Sequence, residues 1–177
     1  MAVFSLLFIF SNNTFAQFED FEGNANFKEG QIDVNVGLGL IPTFLGSGIG
    51  VRIPPVGASV EYAFTNEISG GAYLGISTSR NRNFSDITYR YAILGARAAY
   101  HFNLTEELDT YFGVMLGLTT VRTSYDSTIY PNFSPASNSI AYSFYGGARY
   151  PIADNLGLFG EIGYGISYIT FGVALKI

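Results

Sequence analysis

Hydrophobic and polar residues alternate along most of the chain after residue 30. In the segment VEYAFTNEISGGAYLGI (residues 60–76), one alternating run ends at Phe64, the residues TNE interrupt it, and a second run begins at Ile68. Alternation with a period of two predicts a β-strand with two different faces, and a short polar break between two such runs predicts a hairpin. Residues 60–76 are therefore predicted to form a strand, a tight turn and a second strand.

The second face of these predicted strands is small and weakly polar. Glycine, serine, tyrosine and a single glutamate occupy it, whereas the solvent face of a soluble sheet carries many lysines and glutamates. An apolar face opposite such a face is typical of a strand with lipid on one side and a narrow lumen on the other. The alternation therefore favours a membrane β-barrel.

Two further segments repeat the hairpin pattern. Tyr62, Tyr100 and Tyr150 mark the three units and are 38 and 50 residues apart. Similar turns at uneven spacing predict that the loops at the opposite end differ in length. Antiparallel hairpins closed into a barrel, with short turns at one end and variable loops at the other, would give this spacing.

Eight alternating segments are predicted in all. They cover residues 31–41, 55–64, 68–77, 87–102, 109–121, 139–150, 156–165 and 169–177. A length of about ten residues suits a tilted strand that crosses the hydrocarbon core. Closure of the sheet removes the unpaired edges that lipid does not tolerate. The predicted fold class is therefore all-β, an eight-stranded antiparallel up-and-down transmembrane β-barrel.

Aromatic side chains on the apolar face are concentrated beside the predicted short turns. They are Tyr62, Phe64, Tyr100, Phe102, Phe112 and Tyr150. Rings gathered at one end of the strands predict an aromatic girdle at one membrane interface.

Composition supports the same class. Of the 177 residues, 13% are charged, well below the ~25% of soluble domains, and 16% are aromatic. There is no cysteine, so disulfides, cysteine metal sites and a lipoprotein anchor are excluded. A net charge of −5 argues against nucleic acid as a partner. The sequence has no stretch of about 20 apolar residues, so no membrane-spanning helix is predicted.

The first residues differ from the rest of the chain. Residues 1–16 have an apolar core, and small residues at Thr14 and Ala16 precede Gln17, which predicts a signal peptide although a basic n-region is absent. Residues 17–29 are acidic and aperiodic, and we expect a flexible periplasmic linker. The barrel is predicted to occupy residues 30–177.

A few charged residues fall on the predicted inward face. They are Asp33, Glu61, Arg97, Arg149, Glu161 and Lys176, with His101 nearby. Buried charges are costly unless they are paired, so we expect a lumenal ion-pair network of Glu61, Glu161, Arg97, Arg149 and Lys176. Because side chains fill the interior of an eight-stranded barrel, a packed polar plug is the favoured interpretation. The alternative is a gate or narrow conduction path built from the same residues.

Chemistry is poorly supported by the sequence. His101 is the only histidine, and no serine with a plausible partner is evident for a Ser–His–acid arrangement. Metal-ligand spacing is absent, and the glycine-rich runs lack the strand-to-helix context of a phosphate loop. No catalytic, cofactor or metal residue is predicted, and the protein is expected not to be an enzyme. In the longest loop, Tyr125, Tyr130, Pro131 and Phe133 could form a contact surface, although a solvated variable loop is the simpler interpretation.

The hairpin segments VEYAFTNEIS, AYHFNLTEEL and ARYPIADNLGLFGEIGYG, together with the ending ITFGVALKI, resemble the small outer-membrane β-barrel family of the OmpA/OmpX-like eight-stranded type found in Gram-negative bacteria. The resemblance covers residues 30–177. It implies insertion into outer-membrane lipid by the outer-membrane assembly machinery. Family members typically end in an aromatic residue that this machinery reads, whereas this chain ends in Ile177 and its nearest aromatic residue is Phe171.

Members of that family serve as structural anchors, adhesion or defence proteins, or narrow pores, so the resemblance does not choose among these functions. We expect a monomeric outer-membrane barrel without a cofactor, with a structural role or an interaction with an extracellular partner through its loops. The first alternative is a small-solute pore. The second is a soluble lipocalin-like barrel, which would need its apolar face inward around an apolar ligand and many charges outside.

Overall fold

The computed structural model describes residues 27–44, 46–81, 87–105, 107–125 and 135–177. These residues form one closed antiparallel sheet in which each strand pairs with its neighbours in sequence and the first pairs with the last. The strands are β1 (Ile32–Gly39), β2 (Ile49–Ala63), β3 (Ile68–Asn81), β4 (Ile87–Thr105), β5 (Leu108–Tyr125), β6 (Ala136–Ala153), β7 (Leu156–Gly163) and β8 (Ile169–Lys176). The predicted eight-stranded up-and-down barrel is confirmed.

No helix in the described ranges is long and apolar enough to cross a membrane.

Several strands extend further than the sequence pattern indicated. The segment predicted as a loop over residues 42–54 is a strand from Ile49 onwards, and the loop predicted to start at residue 78 begins only after Asn81. The first half of β2 was not predicted as a strand because it contains proline, which cannot donate a ladder hydrogen bond. Pro54 and Pro55 lie where the β2–β3 register shifts, between Ile53 and Val56, and such irregularities accommodate proline.

Exposure alternates along the strands, and the exposed side chains are the apolar ones. Leu94, Leu116 and Phe144 are 63%, 65% and 67% exposed on the outside of the barrel. Charged side chains such as Glu61 and Arg97 are buried inside, at 1% and 6% exposure. A soluble lipocalin-like barrel requires the opposite arrangement, so that hypothesis is wrong.

The three short turns, the start of β1 and the end of β8 lie together at one end of the barrel, called here the turn end. The opposite end is called the loop end. In the β2–β3 turn, the Thr65 hydroxyl accepts hydrogen bonds from the backbone N–H groups of Glu67 and Ile68, at 3.1 and 3.0 Å. This side-chain bonding satisfies donors that the turn would leave unpaired. The turn is therefore tight and sets the register of the hairpin.

The predicted aromatic girdle residues lie on the outside at the turn end. The rings of Tyr62 and Phe64 meet edge to face at 5.3 Å, and Phe112 contacts Tyr100 and Phe102 at 5.5 and 6.0 Å. Tyr150 is also exposed there. The Phe112 contacts cross from β5 to β4, which adds to the pairing of these strands where they leave the apolar band.

A row of inward-facing glycines crosses four adjacent strands. The register places them side by side as Gly172, Gly37, Gly57 and Gly75, on β8, β1, β2 and β3. Aromatic rings occupy the space that their missing side chains leave. A Cβ added to Gly37 would lie 2.8 Å from the Phe159 ring, and one added to Gly57 would lie 2.7 Å from the Tyr73 hydroxyl. This part of the lumen is thus filled by rings lying on bare backbone.

Replacing Gly37 by alanine should destabilise the barrel. The new Cβ would also lie 2.9 Å from the backbone oxygen of Phe171, which cannot move aside without breaking the β1–β8 ladder. Overpacking of this kind costs about 1–3 kcal/mol. We expect Gly37→Ala to lower the urea midpoint of the refolded barrel in phospholipid vesicles.

Gly146→Ala is the matched control. It is also a strand glycine, but its added Cβ would come no closer than 3.7 Å to its nearest neighbour, the backbone oxygen of Tyr111. The Gly146 variant should be as stable as the wild type or slightly more stable. Equal midpoints for the two variants would show that the glycine row does not limit the packing of the lumen.

Candidate functional site

Arg149 of β6 is completely enclosed near the turn end of the lumen. Its Nη1 atom donates hydrogen bonds to Asp33 of β1 at 2.6 Å and to Asp109 of β5 at 3.2 Å. Its Nη2 atom lies 3.6 Å from Glu61 of β2. Because one planar guanidinium can donate in several directions at once, Arg149 contacts its neighbour β5 and also β1 and β2, two strands with which β6 does not pair.

Arg97 of β4 occupies the next level toward the loop end. Its Nη2 atom donates to Glu161 of β7 at 2.7 Å, and its Nε atom donates to the Tyr145 hydroxyl at 2.9 Å. The guanidinium also lies 4.0 Å from the centre of the Tyr145 ring, within cation–π distance. Arg97 therefore connects opposite walls of the barrel through one ion pair and one aromatic contact.

Glu61 connects the two levels. Its Oε1 atom lies 3.4 Å from Arg97 and accepts hydrogen bonds from Ser59 at 2.8 Å and Asn35 at 3.0 Å. The same oxygen faces Arg149. A buried carboxylate needs this degree of pairing, since leaving it unpaired in a low-dielectric interior would cost several kcal/mol.

Four of the five residues predicted to form the lumenal network come together in these contacts, namely Glu61, Arg97, Arg149 and Glu161. Lys176 stands directly opposite Asp33 in the β1–β8 register. It is half-buried and lines an open hollow at the turn end together with Lys28 and Gln31. Lys176 is therefore at the rim of the lumen, away from the contacts around Arg97.

His101 is fully buried in a chain of polar contacts at the turn end. Its Nδ1 atom is 2.9 Å from the carboxylate of Asp109, and its Nε2 atom is 2.9 Å from the Ser69 hydroxyl. The expectation that no serine has a plausible partner was wrong. Ser69 pairs with Ala99 across β3–β4 and Asp109 pairs with Asn103 across β4–β5, so both flank His101 diagonally. The registers of these two hairpins were the signal that could have revealed the cluster.

The Ser69–His101–Asp109 chain has the order of a nucleophile, a base and an orienting acid. However, Ser69 is 1% exposed and its hydroxyl also contacts Glu61 at 3.3 Å. Its oxygen is thus held between two polar partners and is not presented to a substrate. The cluster extends the hydrogen bonding around Arg149 toward the turn end.

Phe27 covers this cluster. Its ring lies flat on the His101 imidazole, with 3.6 Å between centroids and 3° between planes, and it is 1% exposed. Residues 17–29 were expected to form a flexible linker, and for Phe27 this is wrong, because the ring is packed into the mouth of the barrel. Residues 17–26 and the predicted signal peptide, residues 1–16, lie outside the described residues.

Two buried tyrosines, which sequence reasoning did not single out, complete the central layer. The Tyr111 hydroxyl donates to Glu161 at 2.9 Å, and Tyr145 contacts Arg97. Both lie on inward-facing positions of β5 and β6, so strand parity was the available signal. Beside Tyr145 lies a small cavity of about 30 Å³ that Arg97 and Glu161 also line.

A larger cavity of about 260 Å³ lies toward the loop end. All of its lining side chains are uncharged, and they include Ile93, Met115 and the stacked pair Phe44–Tyr91, whose centroids are 3.8 Å apart. The lumen therefore changes from charged at the turn end to apolar near the loops.

The predicted loop surface can be placed only in part. Tyr125 ends β5 and is 37% exposed. Tyr130, Pro131 and Phe133 lie outside the described residues. Within the described ranges, no group of three or more histidine, cysteine, aspartate or glutamate residues could hold a metal ion.

The barrel is similar to several solved outer-membrane proteins. It matches the outer membrane protein OprG from Pseudomonas aeruginosa with a TM-score of 0.62 and 9% sequence identity, covering 85% of this chain and 97% of that chain. It matches Neisserial surface protein A with a TM-score of 0.54 and 13% identity, covering 83% and 95%. It matches Ail, the attachment invasion locus protein of Yersinia pestis, with a TM-score of 0.51 and 12% identity, covering 84% of this chain and 95% of that chain. At these identities the similarity establishes the fold alone.

No curated protein matches the chain. The sequence model of the Opacity family porin proteins matches residues 12–172, which is most of the chain. Together with the closed eight-stranded sheet and its apolar exterior, this match places the chain in the outer membrane, in contact with lipid. The chain belongs to the Opacity family of porin proteins.

Proposed function

We propose that this protein is an occluded outer-membrane barrel that acts as a rigid scaffold for its loops. The occlusion is attributed to a polar plug, defined as the side chains of Asp33, Glu61, Arg97, Asp109, Arg149 and Glu161. In outer-membrane barrels short turns face the periplasm and longer loops face outward, so the plug would lie toward the periplasmic side.

The observation that carries this proposal is the distribution of the plug over the barrel wall. Its six residues come from six different strands, β1, β2, β4, β5, β6 and β7. Arg149 bonds to Asp33 across the lumen, and Arg97 bonds to Glu161. Ion pairs that cross the lumen at two levels occupy the path that a solute would need.

Aromatic rings support the same proposal. Phe27 lies beneath the plug on His101, and Tyr111 and Tyr145 fill the space around the arginines. The cavity at the level of Arg97 measures only about 30 Å³. Passage of a solute would require these side chains to move.

A narrow small-solute pore is the second candidate. The polar lining of the central lumen favours the pore. Apolar side chains alone could close the lumen, so closure does not by itself require buried charges. In this alternative the Arg97–Glu161 ion pair, 2.7 Å long, would open as a gate.

Loop display is supported by the unequal strands. β4, β5 and β6 have 19, 18 and 18 residues, whereas β1, β7 and β8 have 8 each. The β4–β5 ladder continues on the loop side as far as Ile87 and Tyr125, so the long strands extend the wall there. We propose that this wall holds an extracellular contact surface, which is consistent with the attachment role in the name of Ail. We further propose that the assembly machinery inserts the protein as a monomer.

The purified barrel should give no stepwise conductance in a planar lipid bilayer, because the plug closes the lumen. The double variant Arg97→Ala/Tyr145→Ala removes the central ion pair and the ring beneath the guanidinium, and it should conduct. Leu94→Ala, on the lipid face of the same strand, is the matched control and should stay silent. Conductance steps of equal size in the wild type and the double variant would favour the pore.

Arg149→Ala should strongly destabilise the barrel. It leaves Asp33 and Asp109 buried, and breaking a buried pair by removing one partner costs about 3–5 kcal/mol. Urea unfolding in phospholipid vesicles measures this cost. Glu67→Ala, at an exposed turn position, should change the unfolding free energy by about 0.5 kcal/mol or less. A similar small change for both variants would argue against the plug as a structural element.

Phe27→Ala should expose His101 at the turn end. As the only histidine, His101 can be followed by modification with diethyl pyrocarbonate and peptide mass spectrometry. The wild type should resist modification, since His101 is 0% exposed, and the variant should react. Phe27→Leu keeps an apolar cover and should protect partially. Rapid modification of the folded wild type would mean that Phe27 does not seal the lumen.

A further inference from the structure

Positively charged side chains replace apolar ones near the loop end of four adjacent strands. Arg52, Arg80, Arg90 and Arg122 lie there, on β2, β3, β4 and β5, and all four are exposed. They are four of only nine lysine and arginine residues in a chain with a net charge of −5. These residues are called the arginine crescent.

Two members of the arginine crescent face each other directly. Arg90 pairs with Arg122 in the β4–β5 register, four residues along from the outward pair Leu94–Leu118. By strand parity both arginines therefore point outward, with Cβ atoms about 5 Å apart. Like charges in this position destabilise a sheet unless an anion lies between them. Among the described residues, no carboxylate forms an ion pair with either arginine.

The height of the pair is set by the strands. Below Arg90–Arg122, the girdle pair Tyr100–Phe112 lies ten residues away along both strands. Ten residues at about 3.4 Å each, on strands tilted by about 40°, span about 26 Å along the membrane normal. The apolar band of such barrels is about 25 Å tall. The arginines therefore lie where the headgroups of the loop-side leaflet begin.

Arg80 continues the crescent along the outer face, and the exposed Arg52 lies beside it where the β2–β3 register shifts between Val51 and Ile53. Arg80 follows Thr78, the register partner of Arg90, by two residues and so shares its outward face. With Arg52 it lines an open hollow of about 260 Å³. Four strands about 4.8 Å apart give the crescent a width of about 15 Å, enough for more than one phosphate group.

The opposite half of the barrel is different at its loop end. There Tyr164, in the connection between β7 and β8, contacts Tyr142 and Tyr168, each at 5.9 Å between centroids. Tyrosine at a membrane interface suits any lipid, because its ring is apolar and its hydroxyl is polar. Within the part of the chain that the structure describes, only the β2–β5 half thus combines headgroup height with clustered positive charge.

We propose that the arginine crescent binds phosphate monoester groups of lipid headgroups in the outer leaflet, which, unlike the phosphate of phosphatidylcholine, have no ammonium group in the same headgroup to neutralise them. Guanidinium groups form paired hydrogen bonds to phosphate oxygens, and all four members are arginine rather than lysine. A phosphate between Arg90 and Arg122 converts their repulsion into a shared attraction. This site lies on the outer face and is independent of the polar plug.

The test compares the full-length wild type with Arg122→Gln in two membranes, phosphatidylcholine vesicles and the same vesicles containing lipid A as a minor, phosphate-rich component. In phosphatidylcholine alone the variant should unfold at the same or a higher urea concentration than the wild type, because repulsion is relieved. With lipid A it should unfold at a lower concentration. In native mass spectrometry, lipid A should bind Arg90→Gln/Arg122→Gln at least about tenfold more weakly, since the charged hydrogen bonds from both guanidinium groups are lost.

Arg122→Lys keeps the charge and should retain most of the lipid A effect, while Thr88→Gln, on the same face, should behave as the wild type. Stabilisation by inorganic phosphate alone, equal to that by lipid A, would replace the lipid site by a free-anion site and overturn the proposal. A preference for a soluble sulfated polysaccharide over lipid A would likewise overturn it. So would an equal loss of stability for Arg122→Gln in both membranes, which is the behaviour of a purely structural arginine.

Discussion

Lipid cannot hydrogen-bond to a peptide group, and this constraint determines the rest of the molecule. A sheet in lipid must close on itself, and eight strands close with a lumen only wide enough for side chains. Since successive residues face opposite sides, the charged side chains within the apolar band of the strands point into that lumen. The charges then have to neutralise one another there. Glu61 is the centre of this arrangement, because it faces both Arg97 and Arg149 while Ser59 and Asn35 donate to it.

The local pattern of the chain was sufficient for the strand count, the closed topology and the assignment of each face. Parity alone places Glu61 and Arg97 inside and Leu94 outside, because it depends only on neighbouring residues. Local pattern failed at the start of β2, where residues up to Pro54 were predicted as a loop although the strand begins at Ile49 and its ladder continues through register shifts. A proline in the sequence shows that one ladder donor is missing, but it does not show whether the sheet can accommodate the missing hydrogen bond.

The contacts within the lumen were less predictable, for a different reason. Arg97 and Glu161 are 64 residues apart, and their meeting depends on strand tilt and register around the whole barrel. The Ser69–His101–Asp109 chain needed the register of two hairpins together. Phe27 was beyond such reasoning, because an isolated ring in an aperiodic segment carries no strand parity. Its position depends on the turn at Gly30, whose φ of 85° redirects the chain into the mouth of the barrel.

The Asp33–Arg149 ion pair also has a consequence for the order of folding. Its partners are 116 residues apart, on β1 and β6, and in an open sheet five strand spacings separate them. They can meet only when β1 reaches β8 and the cylinder is sealed. The pair therefore contributes little to the early hairpins and acts mainly against reopening, so its effect falls on the rate of unfolding. The seam between two 8-residue strands, a ladder of only seven residue pairs, is in this way held shut from inside the lumen.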